Sequence, residues 1–426
     1  MGDIYSAAQL TIVACAGDDP NYGLPGIHAG TRKFPWLHEQ VGHIHIIGLP
    51  MSATLAIHDS RWASRAWTYQ EGYLSKRRLF FTDRQVVFIC NQDILWDGPE
   101  EAPESKEDWS LPLGYITDFF PRPAHEEMQA PEEMYGMFRV MEYLVTYSTR
   151  ALSYDTDALD AIIGILNTRP RHNGEPVYHV SGTPFVAVEQ SMRLCVPHTG
   201  VWVALNWCHG SPCRRRPNMP SWSPVAWDGH IVWMDFWSRP LVPWDCQITI
   251  RDDDRCIDIM QLAQEPDLMA DFDGSRGKPL LEITAYTVEL PPTTHAGLHQ
   301  FPNSDRIEPQ LVLALDSNTE MVVWPCWDRL PNQENTVAPL FGLILAHDLN
   351  VATLTADPPP KIMVLECHGN HYERVGIFPT RISEESQRVQ FRSRTMPSLA
   401  EHGDGEVSSD TQIWLQHAKK RTILLA

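Results

Sequence analysis

Residues 60–83 read SRWASRAWTYQEGYLSKRRLFFTD, where four rings, Trp62, Trp67, Tyr69 and Tyr73, crowd one carboxylate, Glu71. Trp62, Ala66, Tyr69 and Tyr73 recur at the spacing of a single helical stripe, so the pattern predicts a helix from about Arg61 with those side chains turned to a core. Asp59 or Ser60 is placed to cap its N-terminus. Lys76, Arg77 and Arg78 fall where the helix end is electronegative. Trp67 and Glu71 lie four residues apart and share a helix face. RLFFT and QVVFIC, between residues 78 and 90, then predict a strand pair around a Thr-Asp-Arg turn.

Outward from this stretch, residues 3–9 read as the end of a helix, and LTIVACA (10–16) as a buried strand because it is apolar throughout. GDDPNYGLPGI (17–27) is dense in turn formers and predicts a loop that wraps the sheet edge. Its paired acids and the lack of a following Gly-Lys-Ser/Thr element speak against a phosphate cradle. HIHIIGL (43–49) alternates and predicts an edge strand. Residues 97–133 are rich in Glu, Asp and Pro with weak periodicity, the composition of a linker or insertion. Helical spacing returns over 134–152 and 157–169. After residue 230 the runs LLEITAYTVEL, LVLALD, FGLILAHDL, KIMVLECHG and YERVGIF predict antiparallel strands. The expected fold is α/β at the N-terminus (1–96), then the linker (97–133), a helical segment (134–230) and a β-rich C-terminal region (231–426), α+β taken together.

Among the 426 residues, 34 Lys and Arg face 54 Asp and Glu, a formal charge of −20. That balance excludes a general phosphate-backbone binder, whose affinity rests on clustered cations. No apolar run is long enough for a membrane span, and the N-terminus lacks the basic region of a secretory signal. MGDIYS fits a loose myristoylation pattern, but no basic patch stands near it. Nine scattered cysteines, an odd number, fit free thiols in a reducing compartment, so a cytoplasmic protein is expected.

Cys195, His198, Cys208, His209 and Cys213 form the one metal-like cluster, with spacing that is imperfect beside zinc modules. Reduced thiols are the preferred reading, and neither a metal nor a cofactor is expected. CRRRP (213–217) is the strongest basic spot, and internal pairing suits it in so acidic a chain. No Gly-x-Ser-x-Gly, His-Glu-x-x-His or Gly-x-Gly-x-x-Gly pattern occurs.

Several stretches resemble, in order, the fungal heterokaryon incompatibility (HET) domain proteins. IYSAAQLTIVACAGDDPNYGLPG is similar to that family's Ile-Tyr-x-x-Ala, strand and Gly-Leu-Pro-Gly loop, here Gly23, Leu24, Pro25 and Gly26. The opening stretch resembles its Trp-x-x-Arg-x-Trp-Thr-x-Gln-Glu, Leu-Ser-x-Arg motif, carried by Trp62, Arg65, Trp67, Thr68, Gln70, Glu71, Leu74, Ser75 and Arg77. YSTRALSYDTDALDAIIGI, PSWSPVAWDG (220–229) and YERVGIF (372–378) resemble later family motifs, with Pro224 and Val225 where Trp and Ala are usual. The resemblance implies a partial TIR-like α/β unit, because the family's first strands and helix precede the position of Met1. It also implies a signalling role in fungal non-self recognition and programmed cell death, with self-association or an incompatibility partner.

TIR domains that cleave NAD carry a Trp-Cys-x-x-Glu segment, and WTYQE resembles it in spacing. The alternative is thus an NAD-cleaving enzyme with Glu71 catalytic and Trp67 supporting it, the carboxylate steadying positive charge on a ribose. A helix-stabilising Glu71 paired with Arg65 or Lys76 is the structural alternative, and an inactive or regulatory fragment a third.

Overall fold

The computed structural model describes residues 1–28, 31–32, 37–48, 53–90, 94–97, 135–172, 175–186, 201, 204–233, 246–252, 255–264, 278–292, 309–314, 319–330, 338–346, 361–378, 389–393 and 418–426. The chain divides into two compact units, Met1–Pro131 with Thr149–Arg169, and Glu132–Ser148 with Pro170–Ala426.

The first unit begins with helix α1 (Gly2–Ala7) and strand β1 (Thr11–Ala14), then the hairpin β2 (Leu37–Val41) and β3 (Ile44–Gly48). Helices α2 (Ala53–His58) and α3 (Thr68–Leu74) precede β4 (Arg77–Phe81), β5 (Val86–Cys90) and β6 (Ile94–Trp96). The sheet order is β1-β4-β5-β6, with β1 parallel to β4 and the rest antiparallel. Two helices follow in the chain: α4 (Tyr135–Ser148), in the second unit, and α5 (Asp160–Leu166), in the first. One sheet face is core, with Val13, Phe80, Val87 and Ile89 buried. On the other, the register lines up Ile12, Leu79, Phe88 and Leu95.

Two expectations are corrected here. LTIVACA is a strand only over Thr11–Ala14, and it alternates: Val13 is 2% exposed and Ile12 59%. As the edge strand of the described sheet, β1 is covered on one face only. The helix expected from Arg61 is instead a turn followed by α3, which starts at Thr68. The backbone at 61–67 is drawn into other bonds: Thr68 Oγ1 donates to the carbonyls of Trp62 (2.5 Å) and Arg65 (2.7 Å), and Arg65 bridges Ala151 in parallel. Ser60 still caps the turn, accepting Ala63 N–H at 3.1 Å. Arg78, though buried in β4, does serve the helix end: Nε donates at 2.7 Å to the carbonyl of Ser75, the residue that caps α3, and burial lowers its pKa to about 10. Within HIHIIGL, Ile44–Gly48 is a strand, paired with β2, which the residue pattern had not flagged.

In the second unit, short ribbons come first: β7 (Arg171–His172) with β8 (Glu175–Pro176), and β9 (Tyr178–Val180) with β10 (Thr183–Phe185). β11 (Trp207–His209), β12 (Arg214–Arg215), β13 (Trp227–Asp228) and β14 (Ile231–Trp233) pair as β11-β14 and β12-β13. The main sheet draws on β15 (Gln247–Asp252), β16 (Arg255–Asp258), β17 (Leu280–Leu290), β20 (Cys326–Trp327), β21 (Leu340–Ala346), β22 (Lys361–Cys367), β23 (Tyr372–Ile377) and β25 (Lys419–Leu425), while β18 (Leu311–Ala314), β19 (Thr319–Val323) and β24 (Val389–Ser393) form a three-stranded sheet. Helix α6 (Ile259–Gln264) follows β16. Strands β17, β21, β22, β23 and β25 form a closed ring of pairings, sealed by one parallel pair, Tyr372 with Leu425. β17 alternates half-buried and buried residues from Leu280 to Thr287, the period-2 pattern of a strand with one apolar face, and the phase slips at Thr287–Val288, both buried. The whole is α+β, as expected. The acidic stretch 98–133 lies outside the described residues, as do Cys195 and His198.

Candidate functional site

The first unit is organised around α3. Trp62 is buried, meets Phe80 edge-on at 5.6 Å between centroids, and donates its indole N–H to Glu71 Oε2 at 3.1 Å. The phenol of Tyr5, on α1, is pushed up to about 12 by burial first and by the nearby Glu71 charge second. Glu71 is half-buried, and its carboxylate is bonded to the neutral Trp62 indole, not to Arg65 or Lys76. A neutral donor orients a carboxylate without neutralising it, the state in which it could face developing positive charge.

Trp67 keeps its i, i+4 relation to Glu71, because its backbone is already helical, but its indole donates to Asp157 Oδ2 at 3.0 Å. The two residues expected to act together are therefore bonded to different partners. Gln70, fully buried, reaches α5: Nε2 donates to Asp160 O at 2.7 Å and Oε1 accepts Gly164 N–H at 3.0 Å. These are the carbonyl and amide that an α-helix ordinarily pairs with each other. A Cβ at Gly164 would lie 2.1 Å from Gln70 Oε1 and 3.1 Å from Leu74 Cδ1, so the glycine admits both side chains. Ser75 Oγ donates to Glu71 O at 2.6 Å and meets Thr11 Oγ1 at 2.7 Å, joining α3 to β1. Arg150 donates to Ala63 O and stacks over Tyr69 at 4.6 Å from the ring centroid.

The remaining motif residues sit apart. Arg65 and Arg77 are exposed. In the Gly23–Gly26 loop, both glycines have positive φ, 81° and 91°, and Gly26 N–H donates to Thr31 Oγ1 at 3.0 Å. The loop's Tyr22 hydroxyl donates to Asp83 in the β4–β5 turn, tying it to the sheet edge. Tyr5, Asp157 and Gly164 were not singled out from the sequence, although each lies in a stretch that was.

The motifs PSWSPVAWDG and YERVGIF meet in the second unit. Arg374 is fully buried: Nε donates to Asp328 Oδ2 at 2.7 Å, Nη1 to Leu205 O at 2.8 Å and Nη2 to Trp207 O, with the guanidinium 3.3 Å from the Trp207 ring centroid. Burial alone would raise the Asp328 carboxyl, but Arg374 and His209, whose Nδ1 lies 2.9 Å from Asp328 Oδ1, hold it below its ordinary range. Ser221 Oγ accepts Arg374 N–H at 2.9 Å, and Trp227 Nε1 donates to Ser221 O at 2.9 Å. Cys213 donates to Ser211 O at 3.0 Å; among the described residues no three His, Cys, Asp or Glu side chains are disposed to hold a metal. Arg214 and Arg216 pair with Asp228 at 2.9 and 3.0 Å, which spends the basic run internally.

No curated protein and no solved structure matches the chain. Residues 1–71, from α1 to the carboxylate of Glu71, match the family model described as Heterokaryon incompatibility protein (HET), and it is to those proteins that this segment is similar.

Proposed function

We propose that this chain acts in heterokaryon incompatibility as a signalling protein of fungal non-self recognition, binding protein partners in the cytoplasm and promoting growth arrest or cell death. One observation carries the reading: the family match over residues 1–71 covers α1, β1 and the first half of α3. The bonds of Gln70, Trp62 and Ser75 explain why that motif needs those residue types as a structural knot. A protein that works through its surface requires that knot to be intact and requires no turnover. No helix among the described residues is long and apolar enough to cross a membrane. Overexpression in a filamentous fungus tests the proposal. Growth arrest that is lost with Gln70→Ala supports it, and normal growth at high expression overturns it.

The half-buried Glu71, oriented by the Trp62 indole, favours a second reading, cleavage of NAD at its glycosidic bond. Purified protein would then release nicotinamide, and Glu71→Gln would abolish release while the fold stays intact. Absence of nicotinamide at high protein concentration removes this reading and leaves the first untouched.

A further inference from the structure

Three serine- or threonine-proline dipeptides occur in the chain, Thr183-Pro184, Ser211-Pro212 and Ser223-Pro224. The fold treats them differently. Thr183 lies in β10 and is 4% exposed. Ser223 is fully buried, and its Oγ donates to Ser181 O at 2.5 Å. Of the three, Ser211 alone is exposed, in the bend between β11 and β12. A Cβ built on Gly210, the residue before it, would meet nothing within 4 Å, so the bend projects into open space. Just beyond, the backbone is pinned: Cys213 N–H donates to Asp328 O and Arg216 N–H to Ala226 O, each at 2.7 Å.

We propose that Ser211 is a phosphorylation site for a proline-directed serine/threonine kinase that also reads a cation three residues beyond the serine. Pro212 has no backbone N–H to leave unsatisfied in an apolar kinase pocket, and it biases Ser211 toward the extended backbone that a kinase cleft takes. The cation is Arg214, whose side chain is 58% exposed. Its ion pair with Asp228, at 2.9 Å and open to solvent on both partners, yields at little cost. Asp228 is not stranded when Arg214 turns away, since Arg216 stays bonded to it at 3.0 Å. The five residues before Ser211, NWCHG, carry no Lys or Arg, so a kinase that selects upstream arginines finds nothing to hold. In the transfer, the kinase's base takes the hydroxyl proton and Ser211 Oγ bonds the γ-phosphorus of ATP, while the bond from that phosphorus to the bridging oxygen breaks and ADP leaves. The product places a charge of about −1.5 to −2 just before the basic run, and Arg214 can exchange Asp228 for the phosphate.

The test incubates the full chain with ATP and a cyclin-dependent kinase, then maps phosphopeptides by mass spectrometry. The expected product carries a phosphate on Ser211 and none on Thr183 or Ser223. Pro212→Ala should abolish it. Arg214→Ala should lower the initial rate about tenfold, and Arg214→Lys should recover most of that loss. Pro212 is half-buried, so thermal unfolding of its variant is followed alongside. Should that variant fail to fold, the wild-type map and the Arg214 series decide. A folded chain without phosphate on Ser211, phosphate on Thr183 or Ser223 instead, or an Arg214→Ala rate equal to the wild type overturns the proposal. So does labelling of Ser211 by a kinase selective for upstream arginines but not by the proline-directed one.

Discussion

Trp62 and Glu71 are held together by one hydrogen bond, indole N–H to carboxylate, at 3.1 Å across nine residues of chain. Since the indole is buried and the carboxylate half-exposed, the bond decides how the turn at 61–67 meets α3. Glu71→Gln keeps an acceptor for Trp62 and should cost little. Glu71→Ala leaves a buried donor without its partner and should cost about 1 kcal/mol. Chemical denaturation of the two variants measures the difference.

Tyr5 reports on the same carboxylate. Its folded pKa is raised to about 12, above the ordinary 10.0, by burial and then by Glu71. A raised value means the folded state holds its proton longer, so the associated stability is complete below pH 10 and is lost as pH climbs toward 12. In Glu71→Gln the charge is gone, and ultraviolet titration should show one tyrosine ionising at lower pH than in the wild type.

Gly164→Ala sets two effects against each other. Helix propensity favours alanine by about 1 kcal/mol. The new methyl, 2.1 Å from Gln70 Oε1, would expel that side chain from two hydrogen bonds, each worth about 1 kcal/mol, and would press on Leu74. A net loss of about 1 kcal/mol or more is expected. Combined with Gln70→Ala the substitution should cost less than the two single changes added, which a double-mutant cycle reads directly.

Arg374→Met should be far more damaging, about 3–5 kcal/mol, because it strands the buried Asp328 carboxylate. The pH dependence follows from the lowered Asp328 pKa. A depressed folded value gives stability that is present above the ordinary 3.8 and disappears as pH falls through the folded value. Removing Arg374 should move acid unfolding to higher pH, followed by tryptophan fluorescence.

Thiol chemistry should sort by environment. Cys256 is exposed and should alkylate first. Cys15, whose pKa burial raises to about 12, and Cys213, raised to about 12 by burial and then by Asp328 and Asp228, should lag at about pH 8. Time-resolved mass mapping with iodoacetamide gives the order.

Elements with a clean period were legible in the residues. LLEITAYTVEL and KIMVLECHG are strands β17 and β22, and MYGMFRVMEYLVTYS contains α4. What escaped was fixed by partners distant in sequence. The stripe at Trp62, Ala66, Tyr69 and Tyr73 is buried as expected, yet Trp62 precedes the helix, since Thr68 and Ala151 capture the backbone between them. The pairing of Trp67 with Asp157 spans ninety residues, and no local spacing encodes it. His209 looked like part of a metal motif, whereas its side chain turns to Asp328, more than a hundred residues onward.

The Gln70 amide inserted between Asp160 and Gly164 has a consequence for the order of events at the ribosome. α5 is only 7 residues long, well below the about 12 residues at which an isolated helix becomes even marginal in water. Its partner amide is made 94 positions earlier in the chain. At about 5–20 residues per second, α3 would emerge and wait about 5–20 s before the segment it completes exists. During that interval Gln70, Leu74 and the rings around them lack the cover that α5 gives them, so this motif stays exposed on the nascent chain for seconds.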